Sequence, residues 1–322
     1  MITAKPLSGK VAVVTGATRG TGRGIASMLG EAGATVYCTG RSTRGSQRPQ
    51  GEAESPFELA YRPETIEETA ELVTKHGGHG IAARVDHTVE PQVQALFERV
   101  QAEQGRLDIL VNDVWGGDAL TEWGKPFWEL DLDKGFRMLG QAVNSHILTS
   151  RYGAPLMIKQ GSGLIVEVTD GDGYVYRGNF FYDLVKTTVI RIAFTMAEEL
   201  REHRVVALAV TPGFLRSEAM LEHFGVSEAN WREGAKTDPD FIASETPYFA
   251  GRAVAALASD PQVAGKSGRV FSSWALAREY GFTDIDGARP DWGKYFEKKY
   301  GPQRMADEGF YEYWKGGVLM ND

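Results

Sequence analysis

Residues 11–29 of the chain read VAVVTGATRGTGRGIASML, an apolar run, a glycine-rich turn and a helical pattern in direct succession. A β-strand, a tight turn and a helix N-terminus in this order are typical of a dinucleotide-binding site. Gly16 allows the turn out of the strand, and Gly20 and Gly22 let the backbone approach a pyrophosphate and the helix pack on the sheet. The free N–H groups and the dipole at the helix start then favour the phosphate charge.

Apolar runs alternate with helix-period segments along the rest of the chain. This alternation predicts an α/β fold, a doubly wound Rossmann-type parallel sheet in a single domain with helices on both faces. The predicted strands are Val11–Thr15, Thr35–Thr39, Ile81–Asp86, Ile109–Asn112, Leu164–Thr169, Val205–Val210 and Arg269–Phe271. The predicted helices lie near Gly22–Ala32, Glu64–Lys75, Pro91–Gln104, Gly135–Met157, Phe181–Arg201 and Ala250–Ser259. Because the strand ends line one edge of such a sheet, we expect a ligand there.

A second motif lies far downstream, where Tyr182 is followed four residues later by Lys186. One helical turn separates the two side chains, so they share a face, and an ammonium group lowers the pKa of a nearby tyrosine. Together, Thr-Gly-x-x-x-Gly-x-Gly and Tyr-x-x-x-Lys resemble the short-chain dehydrogenase/reductase family over roughly residues 8–285. The resemblance implies hydride transfer between a nicotinamide cofactor and a carbonyl or alcohol, with Tyr182 as acid/base and Lys186 also binding the nicotinamide ribose.

The residues after the second predicted strand bear on the cofactor. They read Gly40-Arg41-Ser42, without an acid to accept from the 2′-OH of NAD. Arg41 can hold a phosphate bidentately, Ser42 can add a hydroxyl donor, and Arg19 is a second cation at the same mouth. In the family, basic residues at these two positions accompany NADP(H), so we predict NADPH over NADH. The predicted cofactor-binding residues are Gly16, Thr18, Arg19, Gly20, Thr21, Gly22, Arg41, Ser42, Asp86, His87, Asn112, Val114, Tyr182, Lys186, Pro212, Gly213 and Ser217.

Several of these positions follow from the resemblance. Asp86 matches the family aspartate that contacts the adenine, with a helix N-cap as an equally weighted alternative. Asn112 matches the first asparagine of the family's Asn-Asn-Ala-Gly motif, but the residues after it depart from that motif. Pro212-Gly213 matches the family's Pro-Gly turn, and Ser217 matches a threonine that contacts the carboxamide or the diphosphate.

The family's catalytic serine has no direct counterpart. Counting from the strand start places Asp170 there, and counting back from Tyr182 places Thr169 there. An ionised Asp170 would repel a developing alkoxide and raise the pKa of the tyrosine, so it would help only if protonated or directed elsewhere. We therefore prefer Thr169 as the hydroxyl donor. Asn144 is a candidate for the asparagine of the proton relay, with His146 as a lesser one and a pair that only packs the helix as the alternative.

The segments 40–42, 62–69, 111–117 and 281–287 resemble the branch of the family that holds dehydrogenase/reductase family member 1 and its bacterial relatives. That branch implies NADPH-linked reduction of steroid and xenobiotic ketones. Apolar side chains that follow the fourth and sixth strands suit such a substrate. The predicted pocket residues are Trp115, Trp123, Phe214, Met220 and Phe224. The alternative is that these aromatic residues pack the long loops or a subunit interface.

We expect one Rossmann-type NADP-binding and catalytic domain over residues 1–285, with a substrate lid inserted at 215–248. A C-terminal extension, rich in aromatic residues, follows over 286–322. Two further long loops, 42–62 and 115–133, exceed the usual length of a connection, and such loops tend to be functional or disordered.

Composition limits the partners. The formal net charge of -8 argues against nucleic acid or an anionic membrane. No apolar run is long enough to span a membrane, and the six histidines are scattered, so we expect no metal site. One cysteine, Cys38, excludes an internal disulfide and fits the cytoplasm. Family members are commonly homodimers or homotetramers.

Two alternative functions stay open. Because the family's serine is replaced, the protein is alternatively a cofactor-binding pseudoenzyme or sensor. Epimerisation or dehydration with bound cofactor is a third possibility.

Overall fold

A computed structural model of the chain describes residues 5–172 and 175–301. Its strands are β1 Val11–Thr15, β2 Thr35–Gly40, β3 His79–Arg84, β4 Ile109–Asn112, β5 Gly163–Val168, β6 Val205–Thr211 and β7 Val270–Ser272. They form one parallel sheet in the order β3-β2-β1-β4-β5-β6-β7. The two central strands β1 and β4 are buried along their whole length, which explains why they read as uninterrupted apolar runs.

Helices cover both faces of this sheet. They are α1 Gly20–Glu31, α2 Ile66–Lys75, α3 Glu90–Gln104, α4 Leu132–Met138, α5 Ser145–Gln160, α6 Phe180–Leu200, α7 Glu218–His223, α8 Pro247–Ser259, α9 Ser273–Tyr280 and α10 Trp292–Tyr300. Apolar side chains of α1, α2, α8 and α9 form the core on one face. Those of α3, α5 and α6 form the core on the other. The predicted doubly wound Rossmann-type fold is therefore confirmed.

Some bounds differ from the sequence prediction. The helix expected near 135–157 is divided by a π-helical turn, Leu139–Asn144, between α4 and α5. Strand β3 begins two residues earlier than predicted, because His79 and Gly80 pair with the start of β2. The short helices α7, α9 and α10 were not predicted.

The two segments expected to lie outside the regular alternation differ in structure. Residues 215–248 contain α7 and two short 3₁₀ turns, and Phe241 at their centre is fully buried. Helix α10 lies in the expected C-terminal extension. The aromatic residues after 301 lie outside the described residues. Within residues 5–172 and 175–301, no helix combines the length and apolarity needed to cross a membrane.

Candidate active site

A crevice of about 1070 Å³ opens at the carboxyl ends of the strands, where the sequence predicted a ligand. The predicted site residues that line it are Gly16, Thr18, Arg19, Gly20, Thr21, Arg41, Ser42, Asp86, His87, Val114, Trp115, Thr169, Asp170, Tyr182, Lys186, Pro212, Gly213, Phe214, Ser217 and Met220. The predicted residues that do not line it are Gly22, Asn112, Trp123, Asn144 and Phe224. The structure thus brings residues that follow six of the strands, together with two residues of α6, into one cleft.

The glycine turn forms a close-packed cradle at the start of α1. Gly16 has a φ of +70°, and a Cβ there would lie 2.5 Å from the carbonyl oxygen of Asp113. A Cβ at Gly22 would lie 2.5 Å from the carbonyl oxygen of Gly16. The Gly20 N–H donates to Glu218 Oε2 at 2.8 Å, so an anionic oxygen already lies at this helix start. These features fit the diphosphate of a nicotinamide dinucleotide.

Arginines surround the cleft beyond β2. The side chain of Arg41 is 53% exposed, and its Nη1 lies 3.9 Å from Asp86 Oδ2. Arg19 donates from Nε to Glu64 Oε2 at 3.1 Å and from Nη2 to Ser42 Oγ at 3.4 Å. Arg19 and Arg41, the cations predicted for a 2′-phosphate, therefore both line this end of the cleft. Arg41 makes the weaker contact with an acidic residue of the protein, at 3.9 Å compared with 3.1 Å for Arg19.

Two residues at this mouth were missed by sequence reasoning. Arg62 is buried and donates to both oxygens of Glu64, and its Nη1 donates to Glu222 Oε2 at 2.5 Å. Burial opposes ionisation of Glu64, but hydrogen bonds from Arg62 and the backbone hold its pKa below the usual value. Because Glu222 belongs to α7, Arg62 joins the 42–62 loop to the segment 215–248. No local signal reveals such a long-range pair.

Asp86 and His87 follow β3 at the same end. The Asp86 carboxylate accepts from the backbone and the hydroxyl of Thr88, and the N-cap of α3 is Val89. The capping alternative for Asp86 is therefore wrong. His87 lies with Nε2 2.7 Å from Thr39 Oγ1, and burial lowers its pKa to about 3, so its ring is neutral.

The tyrosine and lysine lie on the first two turns of α6, facing the cleft. Asn179 caps this helix by accepting from the Tyr182 N–H at 3.1 Å. The Tyr182 hydroxyl donates to Asp170 Oδ2 at 2.9 Å. Burial, the charge of Asp170 and this hydrogen bond together raise the pKa of Tyr182 well above its usual value. Burial also lowers the pKa of Lys186, whose Nζ lies 4.1 Å from the centre of the Trp115 ring.

The preference for Thr169 over Asp170 does not agree with this geometry. Thr169 is buried, and its hydroxyl donates to the backbone carbonyl of Lys186 at 2.7 Å. Its one proton is therefore used inside the protein. Asp170 instead reaches the tyrosine hydroxyl, because strand β5 ends at Val168 and the next two residues turn towards α6.

Two further carboxylates lie beside Lys186, and sequence reasoning did not single them out. Burial raises the pKa of Asp113 to about 7, although Lys186 and His146 act in the opposite direction. Asp118, whose side chain is exposed, accepts from Trp115 Nε1 at 2.8 Å. The one available signal was the departure of residues 112–117 from the family motif.

A buried polar network supports the cleft from beneath. Glu167 accepts from Asn112 Nδ2 at 2.7 Å and lies 2.6 Å from His146 Nδ1. His146 Nε2 lies 3.2 Å from the carbonyl oxygen of Val114, which does line the cleft. Asn112 and His146 are thus placed to support the cleft floor. Asn144, by contrast, is exposed on the π-helical turn, so the structure does not bring it to the tyrosine.

Glu245 supports the Pro212-Gly213 turn from behind. Its Oε2 accepts from Ser273 Oγ at 2.7 Å and lies against Gly213. A Cβ at Gly213 would lie 2.9 Å from Glu245 Oε2, so glycine is required for this approach. Burial raises the pKa of Glu245 to about 8.

The predicted pocket aromatics divide into two groups. The rings of Trp115 and Trp123 lie 5.3 and 5.2 Å from the Tyr182 ring, although Trp123 is 59% exposed. Phe224 packs on Phe241 at 4.5 Å instead of facing the cleft, as the packing alternative foresaw. In the part of the chain that the structure describes, no group of three or more His, Cys, Asp or Glu side chains is arranged to hold a metal ion.

A doubly wound sheet with a glycine cradle and a Tyr–Lys pair in one crevice defines a Rossmann-type oxidoreductase. The family model described as short chain dehydrogenase matches residues 52–224. Dehydrogenase/reductase SDR family member 1 of Mus musculus is 37% identical over 319 residues, 98% of this chain and 95% of its own. The chain therefore belongs to the short-chain dehydrogenase/reductase family.

Other relatives agree with this assignment. The 7alpha-hydroxysteroid dehydrogenase of Clostridium sardiniense is 30% identical over 220 residues, 68% of this chain and 76% of its own. The crystal structure of a hydroxysteroid dehydrogenase from Escherichia coli superposes with a TM-score of 0.64 at 24% identity, covering 83% of this chain and 96% of that one. The last similarity supports the fold alone.

Proposed function

We propose that the protein is an NADPH-dependent oxidoreductase that moves a hydride between the nicotinamide and a carbonyl or alcohol of an apolar small molecule. The observation that carries the proposal is the Tyr182 hydroxyl and the Lys186 ammonium in the same crevice as the glycine cradle. The name of one relative, the 7alpha-hydroxysteroid dehydrogenase of Clostridium sardiniense, refers to a hydroxysteroid, which supports an apolar substrate.

The residues suited to hold NADPH follow from their chemistry. The glycine cradle at the start of α1 would hold the diphosphate through backbone N–H groups, which requires the diphosphate to replace Glu218 at the Gly20 N–H. Arg41, half exposed and weakly paired, suits the 2′-phosphate, with Arg19 and Ser42 beside it. Lys186, Ser217 and the Pro212-Gly213 turn line the same crevice, and we assign them to the nicotinamide riboside. When bound, NADPH supplies the hydride.

The chain's own residues supply the proton. In reduction, the Tyr182 hydroxyl exchanges its hydrogen bond to Asp170 for one to the substrate oxygen, and it donates its proton to that oxygen. The Lys186 ammonium stabilises the charge that remains on the phenolate. The raised pKa of Tyr182 keeps this hydroxyl protonated at neutral pH. A protonated phenol is the form that can donate in reduction.

A panel of ketones, aldehydes and quinones with NADPH, followed by loss of NADPH absorbance, tests the proposal. We expect turnover of at least one class, and a loss of about 10²- to 10⁴-fold in Tyr182→Phe, because the general acid is removed. Tyr176→Phe, which changes an exposed tyrosine, is the matched control. NADPH binding without turnover of any compound would contradict the proposal.

That result would favour the second candidate, an NADPH-binding sensor. The observation behind it is the Asp170 carboxylate in hydrogen bond with Tyr182, where a neutral hydroxyl was expected. Such a carboxylate opposes the charge that forms when a neutral ketone is reduced.

The expected assembly and compartment belong to the same proposal. Apolar side chains are exposed along α4, α5 and α6, among them Phe136, Ile147 and Phe194. Covering them by a second copy supports a homodimer or homotetramer. The free, buried thiol of Cys38 is compatible with the cytoplasm. Light scattering of the purified protein measures the oligomeric state. A purely monomeric species would exclude the homodimer and the homotetramer.

A further inference from the structure

The catalytic end of the crevice carries more negative charge than the reduction of a neutral ketone needs. Asp170 accepts from Tyr182 at 2.9 Å, and Asp118 accepts from the Trp115 indole at 2.8 Å. Both carboxylates line the same crevice as the tyrosine. Asp113 lines it too, with its Oδ2 at the glycine cradle, 2.7 Å from the position that a Cβ at Gly22 would take.

Two cations face these carboxylates. The Lys186 ammonium lies against the Trp115 ring and interacts with all three aspartates. Arg177 donates from Nε to the backbone oxygen of Asp170 and from Nη1 to Asp183 at 3.1 Å, so its charge is shared with a carboxylate outside the crevice lining. Lys186 is therefore shared among three carboxyl groups, and the charge of Arg177 is divided between this end and Asp183.

This charge acts differently on two kinds of polar double bond. A ketone gains negative charge on oxygen as hydride arrives at carbon, which a carboxylate at Asp170 opposes. A protonated imine carries positive charge on nitrogen, and part of it persists in the transition state. The same carboxylate attracts this positive charge. It therefore lowers the free energy of the cationic transition state relative to the neutral imine and a proton free in solution.

The aromatic side chains around Tyr182 also favour a cationic substrate over a neutral one. The Trp115 ring, which already has the Lys186 ammonium 4.1 Å from its centre, meets Tyr182 edge to face at 5.3 Å. The Trp123 ring lies 5.2 Å from Tyr182 but is 59% exposed and outside the crevice lining. Faces of tryptophan and tyrosine attract organic cations, and the attraction grows as water is excluded. Carboxylate and aromatic groups together form the environment that a cationic nitrogen compound requires.

We propose that this crevice reduces the C=N bond of protonated imines, and that Asp170 selects such compounds over neutral ketones. The inference rests on the proposed function for its reductant, NADPH. The imine takes up its proton from solvent before it binds, so its nitrogen already carries the N–H bond. Carbon takes the hydride from NADPH, the C–H bond forms, and the C=N π pair becomes the lone pair of the nitrogen. The neutral amine and NADP⁺ then leave.

The test compares 2-phenyl-1-pyrroline with cyclopentyl phenyl ketone, a neutral compound of similar size, by steady-state kinetics with NADPH. We expect kcat/KM to be about tenfold or more higher for the imine. Asp170→Asn and Asp170→Ser should each lower the imine value about tenfold, and Asp170→Ser should raise the ketone value. Asp172→Asn, which changes an exposed carboxylate outside the crevice lining, should alter neither.

A binding measurement separates this inference from the proposed function. The quaternary cation 1,1-dimethyl-2-phenylpyrrolidinium, which has no reducible bond, is titrated into the full chain while tryptophan fluorescence is recorded. We expect about tenfold weaker binding in Asp170→Asn, with an unchanged melting temperature as evidence of folding. Ketone reduction without imine reduction, and equal binding of the cation by both proteins, would overturn the inference and leave the proposed function intact. Binding that depends on Asp170 without any oxidation of NADPH would overturn the reductase.

Discussion

The two ends of the crevice differ in the sign of their charge. Among the described residues that line it, the end beyond β2 and β3 has an arginine-rich wall, and the end at α6 has a carboxylate-rich one. The cations of the first end are Arg19, Arg41, Arg48, Arg62 and Arg84, opposed by Glu64, Asp86 and Glu218. The charged residues of the second are Lys186, Asp113, Asp118 and Asp170.

This difference suits a ligand that is anionic at one end and cationic at the other. A phosphorylated dinucleotide has its phosphates at the adenosine end, and its oxidised pyridinium ring is positive at the other. Complementary charge at both ends therefore favours one orientation over the reverse. The same reasoning ties the cofactor preference to one end and the substrate preference to the other, so each can be altered separately.

The largest effect should come from reversing charge at the arginine-rich end. Arg41→Asp should lower the ratio of NADPH to NADH affinity about 100-fold, because a charge-assisted hydrogen bond is lost and a repulsion is gained. Fluorescence titration with both cofactors measures this ratio. Arg44→Asp, an exposed position outside the crevice lining, is the control. An unchanged ratio would show that Arg41 does not meet the 2′-phosphate.

A smaller effect is expected at the catalytic end. Oxidation of an alcohol or amine needs the deprotonated phenol of Tyr182, so its rate rises with pH through the pKa of that group. Burial and Asp170 both raise this pKa. Asp170→Ser removes the second cause, and the rising limb should move down by about one pH unit, or about tenfold in rate at a fixed pH on that limb.

The pH profile of NADP⁺-linked oxidation measures this shift, with Asp172→Ser as the matched variant. Reduction at neutral pH uses the protonated phenol and should not show the same rising limb. A limb that stays in place in Asp170→Ser would mean that burial alone sets the pKa of Tyr182.

The sequence predicted the fold from patterns that depend on local burial. Strands covered on both faces must be apolar throughout, and Tyr182 and Lys186 share a face because they are one turn apart. The π-helical turn at 139–144 shifts the helical phase, so spacing could not reveal that Asn144 faces solvent while His146 is buried. Likewise, counting residues could not decide between Thr169 and Asp170, because the direction of each side chain depends on how β5 ends against α6. The pair of Arg62 with Glu222 joins distant segments and has no local signal.

The smallest effect concerns the acidic residues that pair with the arginines at the arginine-rich end and so reduce its affinity for the cofactor phosphate. Glu64 accepts from Arg19 at 3.1 Å, so Glu64→Gln should free that guanidinium for the cofactor phosphate. Arg62 retains Glu222 as a partner, which limits the loss of stability. We expect about threefold tighter binding of NADPH at low salt, diminishing as salt rises, and little change for NADH. Glu67→Gln, which changes a carboxylate outside the crevice lining, is the control. An equal gain for both cofactors would assign the effect to the shared diphosphate, and Arg41 would then distinguish the two cofactors without Arg19.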